Sequence, residues 1–284
     1  EVDKTLNMDP IDLKNKITDK TKAIIVVHML GTPARLSEIK KIADDAGLFL
    51  IEDTAWGCGG FYNDIPLGSF GDIGTYSFDF AKTMTTGEGG MVTTDSDEYG
   101  MIIRKHGGLG YKTLEAGQSL RQLLPKDFQN PNYKRHDTLG FNYRMNELTA
   151  AVGLAQLERV EMLVNRRKEV AKLYDDVFSY FDFIIPQKVL DDHINTYWTY
   201  TVKYEHNDWF EFYNKVKDAG GDGFYGGLSV PYQEPVMFNR NYTKGECPNA
   251  EETQPKMMQF KANYRNLEEA ERKISILRDV INGF

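Results

Sequence analysis

The sequence predicts an α/β protein, a mainly parallel sheet in a large first domain followed by a smaller α+β C-terminal domain. Two observations carry this. Ile24–Leu30 and Leu48–Ile51 are short, nearly unbroken apolar runs on either side of a helical pattern. Past residues 172–182 the texture changes to short strands and helices in mixed order. Continuous apolar runs of this length suit strands buried on both faces, as in parallel sheets.

Between those runs, Ser37 is a plausible N-cap, Ile39, Ile42, Ala43 and Ala46 recur at helical spacing, and Gly47 stops the helix. Strand, helix and strand within about thirty residues form a βαβ unit, with a right-handed crossover. Ligands of such sheets collect at the carboxyl ends of the strands, where Asp53 and Thr54 stand. Strands are expected again at Ile73–Phe80 and Gly90–Thr94, around a Gly/Thr-rich turn at Thr83–Gly89. A helix follows from Asp97 to about Lys105, then an irregular polar loop over Gly107–His136.

One long helix is expected from Met145 to Tyr174, on the stripe Leu148, Val152, Leu157, Val160, Val164 and Ala171. Phe183–Ile185 and Tyr197–Tyr204 read as strands and Trp209–Ala219 as a helix. The last helix begins at Asn266 with Glu269 three residues on, a capping-box arrangement, and carries the stripe Leu267, Ala270, Ile274, Leu277 and Ile281. The domains are drawn at residues 1–175 and 176–284.

A net charge of −8 argues against nucleic-acid and anionic-membrane partners, which select a basic face. The two cysteines, Cys58 and Cys247, are too few for a disulfide scaffold and form no Cys-x-x-Cys pair, so no structural metal is expected. No apolar run approaches membrane-spanning length, and the cytoplasm is the expected location.

The chemistry concentrates between Ile51 and Gly90. Asp53 stands at one strand end, Ser77 at another and Lys82 just beyond, followed by the turn Gly87-Glu88-Gly89-Gly90. A lysine, a carboxylate and short polar donors are what a pyridoxal 5'-phosphate (PLP) site uses: the amine for a Schiff base, the carboxylate for the pyridine nitrogen, the donors for the phosphate. Taken singly each has an ordinary explanation, since lysines are usually surface residues, Asp53 could cap a helix, and Ser77 could be a strand-face hydroxyl. The residues alone establish a polar strand-end site with a candidate lysine.

The stretch resembles the DegT/DnrJ/EryC1/StrS sugar aminotransferases, a branch of the fold-type I PLP enzymes. Their pattern is an Ile-Glu-Asp-Ala-Ala-Gln-like segment, then Gly-Ser-Phe-Gly-Asp-Ile-Gly, Ser-Phe and Lys-x-x-Thr-x-Gly-Glu-Gly-Gly. This sequence carries Ile51-Glu52-Asp53-Thr54-Ala55-Trp56, Gly68 to Gly74, Ser77-Phe78 and Lys82 to Gly90 in that order. The likeness continues through Arg104-Lys105-His106-Gly107 and Leu139 to Met145. The resemblance implies that Lys82 bonds to the cofactor and shuttles a proton, and that Asp53 pairs with the pyridinium nitrogen. Ala55 would pack on the ring and Ser77 would hold the phosphate. Asn142 would reach the phosphate of a neighbouring subunit, which implies a homodimer with shared active sites. Trp56 stands beside the cofactor where the family usually has Gln or His. Residues 1–10 read like the middle of a protein, and the family's N-terminal segment, with its Gly-Thr phosphate cup, is expected to be missing.

The implied reaction moves an amino group, from a donor such as L-glutamate, onto a nucleotide-diphospho keto-sugar for surface polysaccharide or glycoconjugate synthesis. Two alternatives stand beside it. Related sugar dehydratases carry His where this sequence has Lys82, and a non-catalytic relative or fragment would act as a binding partner. His28 is expected in the core, neither His106 nor His136 is given a role, and Gly220–Gly227 is read as a loop.

Overall fold

A computed structural model describes residues 1–114, 126, 129–206, 208–237 and 244–283. After helix α1 (Pro10–Lys16), strand β1 (Ala23–Val27), helix α2 (Leu36–Ala46) and strand β2 (Phe49–Asp53) form the expected βαβ unit. β1 and β2 pair in parallel, Val27 opposite Asp53. The hairpin strands β3 (Phe61–Tyr62) and β4 (Ile65–Pro66) intervene before β5 (Ile73–Ser77), which pairs in parallel with β2 and sets Thr75 opposite Asp53. β6 (Gly90–Thr93) returns antiparallel on β5, so the sheet runs β1-β2-β5-β6.

Several boundaries differ from the sequence reading. β1 stops at Val27, because residues 29–31 turn away with Leu30 at φ 58°. Asn7 holds this turn, accepting from Met29 N and donating to the carbonyls of Thr32 and Pro33. α2 starts at Leu36, one residue ahead of Ser37, whose hydroxyl accepts from Tyr62 instead of capping the helix. At its other end Gly47 adopts the left-handed conformation, φ 62°, and donates to the carbonyls of Ala43 and Asp44. A Cβ there would meet nothing within 4 Å. Gly47→Ala is therefore expected to cost about 1 kcal/mol, purely the conformational penalty of an L-residue, read as a lower urea midpoint.

The strands are also not buried on both faces. Ile24, Val26 and Leu50 pack on α2 through Leu36, Ile39 and Ala43, whereas Ile25, Phe49 and Val92, on the opposite face, lie exposed. Alternation accounts for this: only the α2 side of the sheet is covered within the described residues.

Helix α3 (Asp97–Gly107) is capped by Ser96, which accepts from Tyr99 N. The middle of the loop expected over 107–136 lies outside the described residues. The single helix expected from Met145 is two, α4 (Glu147–Leu157) and α5 (Val160–Phe178). α4 buries none of its side chains, and Leu148 is 83% exposed, so its apolar stripe is left uncovered by the described residues. α5 is re-aimed where Val160 and Val164 close on Gly59, at which an added Cβ would lie 2.9 Å from Val164 Cγ2.

Strands β7 (Ile184–Pro186), β8 (His193–Ile194) and β9 (Thr199–Tyr204) lead to helix α6 (Trp209–Asp218). β10 (Tyr225–Gly226), helix α7 (Pro248–Thr253), β11 (Met257–Lys261) and helix α8 (Leu267–Ile281) complete the chain. The glycine-rich stretch read as a loop thus contributes a short strand at Tyr225–Gly226. A second sheet runs β10-β11-β9-β7, and β8 pairs with β3. The second core gathers Val170, Tyr174 and Phe178 of α5 with Tyr200, Phe212 and Phe260 and the α8 stripe Ala270, Ile274, Leu277 and Ile281. Asn266 caps α8 as the capping-box reading expects, accepting from Glu269 N. Cys58 and Cys247 are both free thiols. Among the described residues no helix is long and apolar enough to cross a membrane.

Candidate active site

Adjacent residues of β2 face opposite ways, and this separates its two carboxylates. Glu52 points to the α2 side and Asp53 to the open side. Glu52 is fully buried and accepts from Gly68 N (2.9 Å), Phe70 N (2.7 Å) and Gly71 N (2.7 Å), with His28 Nε2 3.0 Å away. His28 Nδ1 accepts from Ala34 N, so its proton sits on Nε2 and the ring donates to Glu52. Burial alone would raise the Glu52 carboxyl; the donors from His28, Gly68 and Gly71 outweigh it and hold the group below the usual range. Glu52 thereby ties the loop 67–71 beneath the sheet. That loop presses on β5 so closely that a Cβ at Gly74 would lie 1.9 Å from the Gly68 carbonyl oxygen.

Asp53 follows at the strand end, where its carboxylate accepts from Ala55 N (3.0 Å). The pairing of Asp53 with Thr75 brings Ser77, two residues on, to the same face. The Ser77 hydroxyl accepts from Asp79 N (3.4 Å). Asp79 then builds a turn: its carboxylate accepts from Ala81 N and its carbonyl from Lys82 N. Lys82 leaves this turn half-buried. Burial pushes its amine down, while the charges of Asp79 and Asp53 act to raise it. The amine thus feels the charge of Asp53 and stands against the turn that follows it. Its nitrogen lies 5.1 Å from the ring centroid of Trp56 and 5.2 Å from that of Trp198.

Asp53, Ala55, Trp56, Ser77 and Lys82 are thus brought to one sheet end. Asn142 stands elsewhere: it is exposed, bridges to Gly108 beyond α3, and accepts from Arg144 Nε. His28 is buried, as expected; His106 packs edge-on against Phe141, and His136 bonds the Leu109 carbonyl. A cavity of about 560 Å³ lies on the same face over Ile25, Val27 and Met29, and none of Asp53, Ser77 and Lys82 lines it.

The family model for the DegT/DnrJ/EryC1/StrS aminotransferases matches residues 1–274. The chain belongs to this family. It is 38% identical over 200 residues to the GDP-perosamine synthase of Escherichia coli O157:H7, a match covering 70% of this chain and 49% of that protein. The chain thus spans about half the length of that curated relative. The solved sugar aminotransferase CalS13 from Micromonospora echinospora superposes with a TM-score of 0.85 at 27% identity, covering 100% of this chain and 73% of that one. The Escherichia coli GDP-4-keto-6-deoxy-D-mannose-3-dehydratase, solved with bound hydrated PLP, superposes at 0.84 with 24% identity, over 99% of this chain and 72% of that one. That last likeness is one of fold. The α/β architecture is accordingly that of the fold-type I PLP transferases.

The residues fit that cofactor. Three buried polar atoms beside Asp53 and Lys82 in sequence, Thr54 Oγ1, Trp56 Nε1 and Thr83 Oγ1, have no partner. A strand-end carboxylate, a hydroxyl on the next strand and a half-buried amine are the donor set the group requires. Three residues at or around the site were not singled out from the sequence as functional. Glu52 has a signal, because alternation puts this carboxylate on the buried face with Leu50. Trp198 and buried Arg167 have none, since both act across long separations.

Proposed function

We infer that the protein is a PLP-dependent aminotransferase that moves an amino group, from a donor such as L-glutamate, to a nucleotide-diphospho keto-sugar. The product would serve surface polysaccharide or glycoconjugate synthesis in the cytoplasm. The observation that carries this reading is the Lys82 amine, half-buried and within electrostatic reach of Asp53 at the carboxyl ends of parallel strands.

Lys82 would hold the cofactor as its covalent anchor, and its free amine would move the proton at the carbon that exchanges its amine. Burial favours the neutral amine that such a nucleophile needs. Asp53, oriented by Ala55 N, would hold a proton at the pyridine nitrogen. Ala55 and Trp56 would pack against the ring, and Ser77 would donate to the phosphate. When bound, the cofactor supplies the electron sink for the reacting carbon. Asn142, exposed here, would serve the phosphate site of a second subunit, as the family resemblance implies, and the working unit would then be a homodimer with shared sites. Residues 1–175 carry the cofactor-binding domain and 176–284 the smaller one. Lys82, in place of the histidine of related dehydratases, favours amine transfer over dehydration.

The test is to incubate the purified protein with PLP, L-glutamate and a panel of nucleoside-diphosphate keto-sugars, and to identify products by mass spectrometry. An amino sugar with stoichiometric 2-oxoglutarate is the expected outcome. A deoxy sugar without amine transfer would replace this reading with dehydration, and the absence of any visible cofactor band would replace it with a binding role.

A further inference from the structure

The Lys82 amine lies over two neighbouring indoles, nearly equidistant from both, whose centroids are 5.3 Å apart and whose planes are at 31° to one another. Each centroid is within the roughly 6 Å at which a ring face attracts a cation. Trp56 belongs to the turn after β2. Trp198 comes from the segment entering β9, and its presence over Lys82 has to be arranged by tertiary contacts.

Those contacts are unusually many. Trp198 Nε1 donates to the Ala81 carbonyl (2.8 Å), beside Lys82 itself. The Thr196 hydroxyl donates to the Trp56 carbonyl (2.8 Å), so one short segment holds both indoles. Arg167 of α5 donates to the carbonyls of Tyr197 (3.2 Å) and Trp198 (2.9 Å). Asn195 accepts from Tyr197 N (2.7 Å) and donates to the Thr32 hydroxyl (2.7 Å). Tyr197, between them, is held at φ 48°. A non-glycine residue persists in that conformation only where its surroundings over-determine it, and such residues cluster at functional sites.

We propose that Trp198 is a positioning residue for Lys82: with Trp56 it forms a two-ring aromatic seat that holds the lysine ammonium at the strand ends whenever the amine is not bonded to cofactor. The proposal rests on the reading of Lys82 as the cofactor's anchor and adds what becomes of that amine once released. The seat returns the chain to one place. It favours the charged form, alongside the carboxylates of Asp53 and Asp79, against the burial that favours the neutral one.

Fluorinating the indoles tests this without changing their shape, because fluorine withdraws charge from the ring face that attracts the cation. The protein contains three tryptophans, and the third, Trp209, packs on Phe224 and donates to the Met257 carbonyl in the other core. The cofactor-free full chain is prepared with tryptophan or tetrafluorotryptophan and treated with cyanate across pH 7 to 10. Carbamylation of each lysine is read by peptide mass spectrometry. Since only the neutral amine reacts, the Lys82 rate at pH 8 should rise about fivefold on fluorination and its pH midpoint should fall. The exposed Lys20 should not change. Trp198→Phe, keeping a ring face, should stay within about twofold of the parent, and fluorination in that background should shift Lys82 less. A Lys82 profile indifferent to fluorination would overturn the seat. The PLP band of the unsubstituted protein is a separate readout: its absence would remove the anchor reading while leaving a fluorine-sensitive Lys82 intact.

Discussion

Lys82→Ala is expected to abolish the visible absorbance that PLP gives with the protein and to lower turnover on the order of a thousandfold or more. Two losses combine in this one substitution. The covalent anchor disappears, and so does the group that moves the proton at the reacting carbon. Lys82→Arg separates them from charge, because a guanidinium keeps a cation over the two indoles but cannot condense with an aldehyde. It should be as dark as the alanine variant. Borohydride reduction followed by peptide mapping reads the same point directly, with the mass of reduced cofactor appearing on the peptide containing Lys82. Unchanged absorbance in Lys82→Ala would mean that another amine anchors the cofactor.

Glu52→Gln should destabilise the fold by about 1–3 kcal/mol, measured by urea unfolding, although the side chain keeps its size. The reason lies in the donors around it. Three backbone N–H groups and the His28 ring converge on the carboxylate, and an amide offers one acceptor oxygen while turning N–H groups toward donors. The pH dependence follows from the same contacts. The folded carboxyl lies below its ordinary value of 4.5, so its contribution is fully present above that pH. The contribution is lost as pH falls through the lower folded value. The parent should therefore lose stability more steeply in acid than Glu52→Gln does; equal acid slopes would refute a charged Glu52. The variant should also bind PLP more weakly, because Asp53 is the next residue on the strand that this loop holds in place.

Much of this arrangement was legible in the sequence wherever a short-range rule operates. The β1–α2–β2 unit follows from apolar runs and a glycine stop, the α8 cap from Asn266 and Glu269, and the strand-end line of Asp53, Ser77 and Lys82 from their placement after strands. The glycine at position 74 of the family motif has its physical reason in the loop pressed against it. What escaped was set by tertiary context. An apolar run does not say how many faces of a strand are covered, and Ile25, Phe49 and Val92 lie on the uncovered one. A periodic stripe does not announce a break, and residues 145–174 divide where α5 meets Gly59. Trp198 reaches the site from 117 residues beyond Ala81, through contacts that no local pattern encodes.

Arg167 has a mechanical consequence. Burial brings its guanidinium down to about 10, yet the two peptide oxygens of Tyr197 and Trp198 keep it engaged. The α5 helix is thereby tied to the peptides that carry the Trp198 indole, so a displacement of α5 would pull first on those peptides and only through them on the ring over the amine.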